Sequence, residues 1–275
     1  MNFWERTWEE RGDVLKLAYG DTSPPETVVS FSWRDRIRCP GACALPLPPI
    51  EASRDPIRHR RDDWLYLTMG LSQPLDRKQV KAEREAGKSY SSYGFELGFI
   101  VPDQCDWPAD ALYGFVTHIT DGVEIKWGDR FAFGFTEQAD GSLAGFTGHP
   151  EQLGVTPFGS IRAVFFWRYL FPDWDFVTST GKFMVLIATG ITEREWQVAK
   201  ETTTAHLLLL LCRSGVGQRT LVNRKCLFDS PRWQDEWDKI KARDPALNQT
   251  ASRCKIRRFH FGATILCWCI SFLIF

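Results

Sequence analysis

The sequence predicts an α+β protein with a mixed, largely antiparallel sheet flanked by helices, forming a single domain over residues 1–245. Two runs, Trp64-Leu65-Tyr66-Leu67-Thr68-Met69-Gly70-Leu71-Ser72 and Ser91-Ser92-Tyr93-Gly94-Phe95-Glu96-Leu97-Gly98-Phe99, are aromatic, aliphatic and β-branched, with glycines where a Cβ would crowd a turn or a neighbouring backbone. That is the composition of strands. Other segments, such as 4–19 and 193–211, instead repeat apolar residues near helical spacing. At 275 residues, 44% hydrophobic and 25% charged, the chain is long enough to bury a sizeable core.

Taken in order, Trp4, Trp8, Val14, Leu15 and Ala18 give a docking helix that Gly20 can end, and Glu26–Trp33 reads as a strand. Prolines 40, 46, 48, 49 and 56 exclude a helix or a central strand from Cys39 to Ile57, which is expected to be an extended surface connection. The polar stretch Gln73–Ser92 predicts an exposed loop with a helical turn or two. Pro108 suits a helix N-terminus, and Leu112, Phe115, Val116 and Ile119 stripe the helix Trp107–Ile119. Arg130–Thr136 predicts a strand, Gly141–Gly154 a long loop, and Ser160–Trp167 and Phe183–Thr189 buried strands. Thr192 followed by Glu195 is a capping box opening a helix over Glu193–Leu211. Ser230-Pro231 starts a last helix in which Trp233, Trp237 and Ile240 share a face.

The two strand runs resemble the signature of the suppressor-of-fused domain: a Trp-x-Tyr-x-(Ser/Thr)-x-Gly-Leu-Ser strand, a polar loop, and a (Gly/Tyr)-(Phe/Tyr)-Gly-Phe-Glu-Leu strand. Trp107-Pro108-Ala109-Asp110 resembles that family's helix opening, and Gly128-Asp129 its Gly-Asp before a strand. Gly181 to Glu195 resembles its late strand, glycine, Thr-x-x-Glu and helix, so similarity runs in order from Trp4 to about Pro231. The chain departs from the pattern where Thr178-Ser179-Thr180-Gly181 stands in place of Thr-Pro-Phe-Gly, a motif found instead at 156–159. The resemblance implies a non-catalytic domain that sequesters a protein or peptide partner by adding an extended segment to a sheet edge. The chain's size is that of the compact bacterial type, which implies an immunity protein neutralising a cognate polymorphic toxin in a toxin-antitoxin pair.

Thirty-four basic residues balance thirty-four acidic ones, so no net field attracts nucleic acid. Twelve Trp and twenty Phe fit either interface anchors or an aromatic core. No basic region followed by an apolar one opens the chain, giving an expectation of a cytoplasmic protein with its eight cysteines reduced. The five histidines belong to no nucleophile motif, and Cys39-x3-Cys43 and Cys267-x-Cys269 lack partner pairs for a metal, so no catalytic residue, metal or cofactor is assigned. Ser214-Gly215-Val216-Gly217 reads as a plain turn.

Five residues are candidates for partner binding. Alternation in the strand aims Glu96 toward solvent and a partner, or toward an Arg. Asp129 stands in a turn that reaches solvent, and His118 on the surface of the second helix. Tyr66 and Tyr93 are either core aromatics or the floor of a peptide groove. A hydrolase-like enzyme using Glu96 or Asp129 near a histidine is the competing class. Residues 246–258 form a basic linker, and the apolar run 259–275, behind Arg253, Lys255, Arg257 and Arg258, is either a membrane anchor, which would make the chain a tethered adaptor, or a further buried strand.

Overall fold

The computed structural model describes residues 2–19, 28–30, 51–53, 57–58, 63–105, 107–132, 135–137, 143–146, 159–170 and 175–243. The expectations for 246–258, for 259–275 and for most of the Pro-rich segment lie outside the described residues. Six helices are described: α1 (Phe3–Tyr19), α2 (Arg77–Glu85), α3 (Trp107–Thr120), α4 (Glu193–Glu201), α5 (Thr204–Ser214) and α6 (Pro231–Arg243). The strands are β1 (Val28–Ser30), β2 (Glu51–Ser53), β3 (Ile57–Arg58), β4 (Trp64–Met69), β5 (Tyr90–Val101), β6 (Arg130–Ala132), β7 (Phe135–Glu137), β8 (Leu143–Phe146), β9 (Ile161–Arg168), β10 (Phe176–Thr178) and β11 (Gly181–Thr192).

Nine strands form one sheet in the order β1-β2-β4-β5-β11-β9-β6, with β3 paired to β4 and β10 to β11, while β7 and β8 form a separate hairpin. The sheet is flanked by helices, and β4, β5 and β11, the strands read from the sequence with the strongest apolar runs, share it. Contacts divide the chain into two compact units: Met1–Val123 with Arg168–Leu186, and Glu124–Trp167 with Ile187–Phe275.

In the first unit, β4 and β5 run antiparallel with Tyr66 opposite Phe99. Leu65, Tyr66, Leu97 and Phe99 are almost wholly buried, and α3 supplies Leu112, Phe115, Val116 and Ile119, the stripe read from the sequence. The Phe99 ring meets Trp107 edge-on at 5.2 Å between centroids. Helix α1 buries Thr7, Arg11 and Leu15, one residue per turn.

In the second unit, Val164, Phe165 and Phe166 of β9 and Phe131 of β6 are fully buried. Helix α4 opens with the capping box Thr192–Glu195. The Glu195 carboxylate also forms a buried ion pair with Arg224 and accepts Leu227 N–H at 3.0 Å, tying the 218–227 segment to the helix. Trp237 and Ile240 face the core from α6, with Phe228 edge-on to Trp237 at 5.5 Å.

Several elements differ from expectation. The helix expected over Glu193–Leu211 is two, because Thr202 and Thr203 leave the helical conformation and Thr203 caps α5 by accepting His206 N–H. Gln73–Ser92 holds a nine-residue helix, α2, opened by Asp76, which accepts Gln79 N–H at 2.8 Å. β2 pairs with β4 on one side and β1 on the other, so the Pro-rich segment does contribute an interior strand; Pro49 and Pro56 flank it rather than interrupt it. Arg130–Thr136 is two strands, β6 and β7, and β8 lies within the stretch expected to be a loop. Gly215, at φ 85°, ends α5 in the left-handed conformation, in keeping with the turn reading of 214–217.

Candidate functional site

Glu96 is buried, with 1% of its surface exposed, and this corrects the expectation of a carboxylate reaching solvent. Strand alternation misled because Phe95, Glu96 and Leu97 are all covered, so β5 has no solvent face at this point. The carboxylate instead closes the end of β4. It accepts the Thr68 hydroxyl at 2.8 Å, Gly70 N–H at 3.1 Å, Leu71 N–H at 3.3 Å, and both the N–H and the hydroxyl of Ser72 at 2.9 and 2.7 Å. Burial raises its carboxyl above the ordinary 4.5, with the Ser72, Thr68 and Gly70 hydrogen bonds pulling the other way. A base already holding five donors has no free oxygen for proton abstraction.

The Ser72 hydroxyl also links this network to α1. Arg11, 1% exposed, donates from Nε to Ser72 Oγ at 3.0 Å, from Nη2 to Ser91 Oγ at 3.1 Å and Thr180 Oγ1 at 2.9 Å, and from Nη1 to Thr7 O at 2.9 Å. Helix α1, the 70–72 turn, β5 and the β10–β11 turn thus meet on one guanidinium. Burial lowers the Arg11 pKa, and the charge of Glu96 opposes that shift.

What this framework holds outward is Tyr93. Ser92 stands at φ 54°, the one positive-φ residue other than glycine among the described residues, and Gly94 follows at φ 81°. Two left-handed residues around one tyrosine break the pleat, and the Tyr93 side chain leaves the strand 47% exposed. Two hydrogen bonds fix the irregularity, and a close approach requires a glycine beside it. Tyr93 N–H donates to Leu71 O at 3.2 Å, Ser92 N–H donates to Glu83 Oε2 at 3.3 Å, and a Cβ on Gly94 would lie 3.0 Å from Tyr90 Cβ. Leu71 belongs to the turn that Glu96 organises, so the buried carboxylate positions the exposed ring.

Asp129 is likewise buried, at 7% exposure, and the expectation that it reaches solvent is corrected in the same way. Its Oδ2 accepts Lys126 N–H at 2.9 Å, its own N–H donates to Lys126 O at 3.0 Å, and Gly128, at φ 90°, donates to Phe166 O at 2.8 Å. Thr204 Oγ1 clamps Gly128 O at 2.8 Å. The side chain projecting from this turn is Trp127, 53% exposed and edge-on to Trp167 at 5.1 Å. The sequence marks Gly128-Asp129 as a turn but carries no signal that the preceding Trp127 is exposed.

Tyr66 is 1% exposed; its hydroxyl donates to Cys105 O and accepts Cys105 N–H at 2.8 Å, so the ring is core and not the floor of a groove. His118 is half-buried in the last turn of α3, where its carbonyl accepts Val123 N–H at 2.9 Å. Cys105, Cys212 and Cys226 are free thiols. Among the described residues no three His, Cys, Asp or Glu side chains gather into a metal site, and no helix is long and apolar enough to cross a membrane.

No family model and no curated protein matches the sequence. Solved structures do. The crystal structure of the Sufu-Fu complex matches with a TM-score of 0.57 at 16% identity, over 82% of this chain and 95% of that one. Drosophila suppressor of fused matches at TM-score 0.49 and 17% identity over 72% of this chain, which spans 47% of that protein. A putative suppressor-of-fused homolog from Neisseria gonorrhoeae matches at TM-score 0.47 and 14% identity, over 81% and 97% of the two chains. The architecture is therefore that of an α+β protein with a mixed sheet between helices. Within that class, the match to the Sufu-Fu complex gives the chain a suppressor-of-fused-like fold.

Proposed function

We propose that this protein is a non-catalytic binding domain that captures a partner polypeptide, with Tyr93 at the contact surface and Glu96 as the residue that positions it. The observation carrying this reading is the Tyr93 ring held half out of a strand between the left-handed Ser92 and Gly94, with Ser92 N–H donating to Glu83 and Tyr93 N–H to the Leu71 carbonyl. Backbone strain of this kind persists only where its surroundings enforce it and clusters at functional positions. A rigid exposed aromatic loses little entropy on binding, the property of interface anchors. Trp127, 53% exposed and followed by Gly128 at φ 90°, is proposed as an anchor of the second unit. The fold is shared with a structure solved as the Sufu-Fu complex, which supports a protein as the partner. His118, half-buried in the last turn of α3, is proposed as a further contact residue, whereas Tyr66 is a core residue.

In finer terms, the partner is a toxin and the protein its immunity factor in the cytoplasm, with residues 246–258 a linker and the apolar 259–275 segment a tether. The test is co-expression with the toxin encoded beside the gene. Rescue of growth through a stoichiometric complex supports the reading, and rescue by substoichiometric amounts with chemical change to the toxin points to an enzyme.

A further inference from the structure

We propose that the groove between α5 and α6 is a second binding site, selective for an acidic peptide segment that carries apolar side chains. It lies in the second unit, does not involve Tyr93 and goes beyond the reading above. The groove encloses about 470 Å³ and is lined by Arg213 of α5 and by Arg232, Trp233, Asp235, Glu236 and Lys239 of α6. Three cations thus face two carboxylates.

The distribution of those charges matters more than the sum. Glu236 is already neutralised: Arg213 hydrogen-bonds and ion-pairs with it, Lys239 approaches to 3.8 Å, and Arg213 holds its carboxyl below the ordinary carboxylate value. Arg232 is different. Its guanidinium carbon sits 4.6 Å from the centre of the Trp233 ring, and it forms no ion pair with a described residue. A guanidinium laid on an indole keeps its N–H fork for a planar, bidentate carboxylate, and the stack fixes the direction of that fork. The apolar contact is present as well. Trp233 is half-buried in the groove, and Leu209, one turn before Arg213 on the same side of α5, is 41% exposed. A ligand alternating carboxylates with aliphatic groups satisfies both features.

Fluorescence anisotropy of the full chain with a labelled nonapeptide of alternating Glu and Leu tests this, with the Gln-for-Glu peptide as control. The expected result is saturable binding of the Glu peptide and about tenfold or weaker binding of the Gln peptide. Arg232→Ala is expected to weaken the Glu peptide by a similar factor and Arg232→Lys only in part, whereas Lys81→Ala, which removes an exposed cation of α2, leaves binding unchanged. Tyr93→Ala also leaves it unchanged, which separates this site from the one proposed above. Absence of saturable binding overturns the proposal, as do equal losses in Arg232→Ala and Lys81→Ala or equal binding of the two peptides.

Discussion

The carboxylate of Glu96 accepts both the backbone N–H and the hydroxyl of Ser72, at 2.9 and 2.7 Å. This double contact joins β5 to the turn leaving β4, and the Leu71 carbonyl of that turn receives the N–H of Tyr93. The exposed tyrosine therefore depends on a carboxylate that solvent does not reach.

Glu96→Gln keeps the shape of the side chain but turns an amide N–H₂ toward backbone N–H groups and hydroxyls that donate to the carboxylate. Leaving buried donors unmatched costs about 1–3 kcal/mol, so chemical denaturation at neutral pH is expected to show a loss in that range. A neutral substitution would mean the network does not hold the turn.

The same site has a pH signature. Burial raises the Glu96 carboxyl above 4.5, so the folded state binds that proton more tightly than the unfolded chain does. Its contribution to stability is then fully present below the unfolded value and declines as pH rises through the raised folded value. Wild type is expected to lose stability as pH rises through that value, whereas Glu96→Gln has no titration at this position; denaturation series at several pH values in which the two proteins change in parallel contradict the assignment.

In the second unit, Arg224→Ala strands the Glu195 carboxylate, which is fully buried beside the Thr192 and Leu227 N–H groups. Breaking a buried pair by removing one partner costs about 3–5 kcal/mol. Replacing both residues with apolar ones of similar size is expected to recover part of that loss, which a double-mutant cycle measures directly.

Truncation after Asn248 is expected to leave the thermal transition in place. Trp237 and Ile240 already anchor α6 in its core, and that helix ends at Arg243. Unfolding of the truncated chain would make the following residues part of the core.

Much of this architecture is written in local sequence. The Trp64 and Ser91 runs, the Leu112–Ile119 stripe and the Thr192–Glu195 capping box each depend on neighbours within a turn or a strand, and each forms where the pattern places it. The site was less legible because its determinants are distant in sequence. Period-two alternation places Glu96 on one face of β5 but says nothing of what covers that face. Arg11 looks like one more charge on an amphipathic helix until Ser91 and Thr180, 80 and 169 residues away, are brought to it. The left-handed Ser92 has no local signal at all, since serine does not require that conformation; Gly94 gave the only hint.

Tyr93, held between Ser92 and Gly94, is the residue proposed to meet the partner. Titration calorimetry of Tyr93→Ala against the proposed polypeptide partner, beside thermal melts of the same protein, is the decisive measurement. Loss of an anchoring aromatic costs about 2 kcal/mol or more in binding, so the expected result is a dissociation constant raised about thirtyfold with the melting temperature of wild type. Unchanged affinity, or a weakened complex explained by a lowered melting temperature, would contradict it.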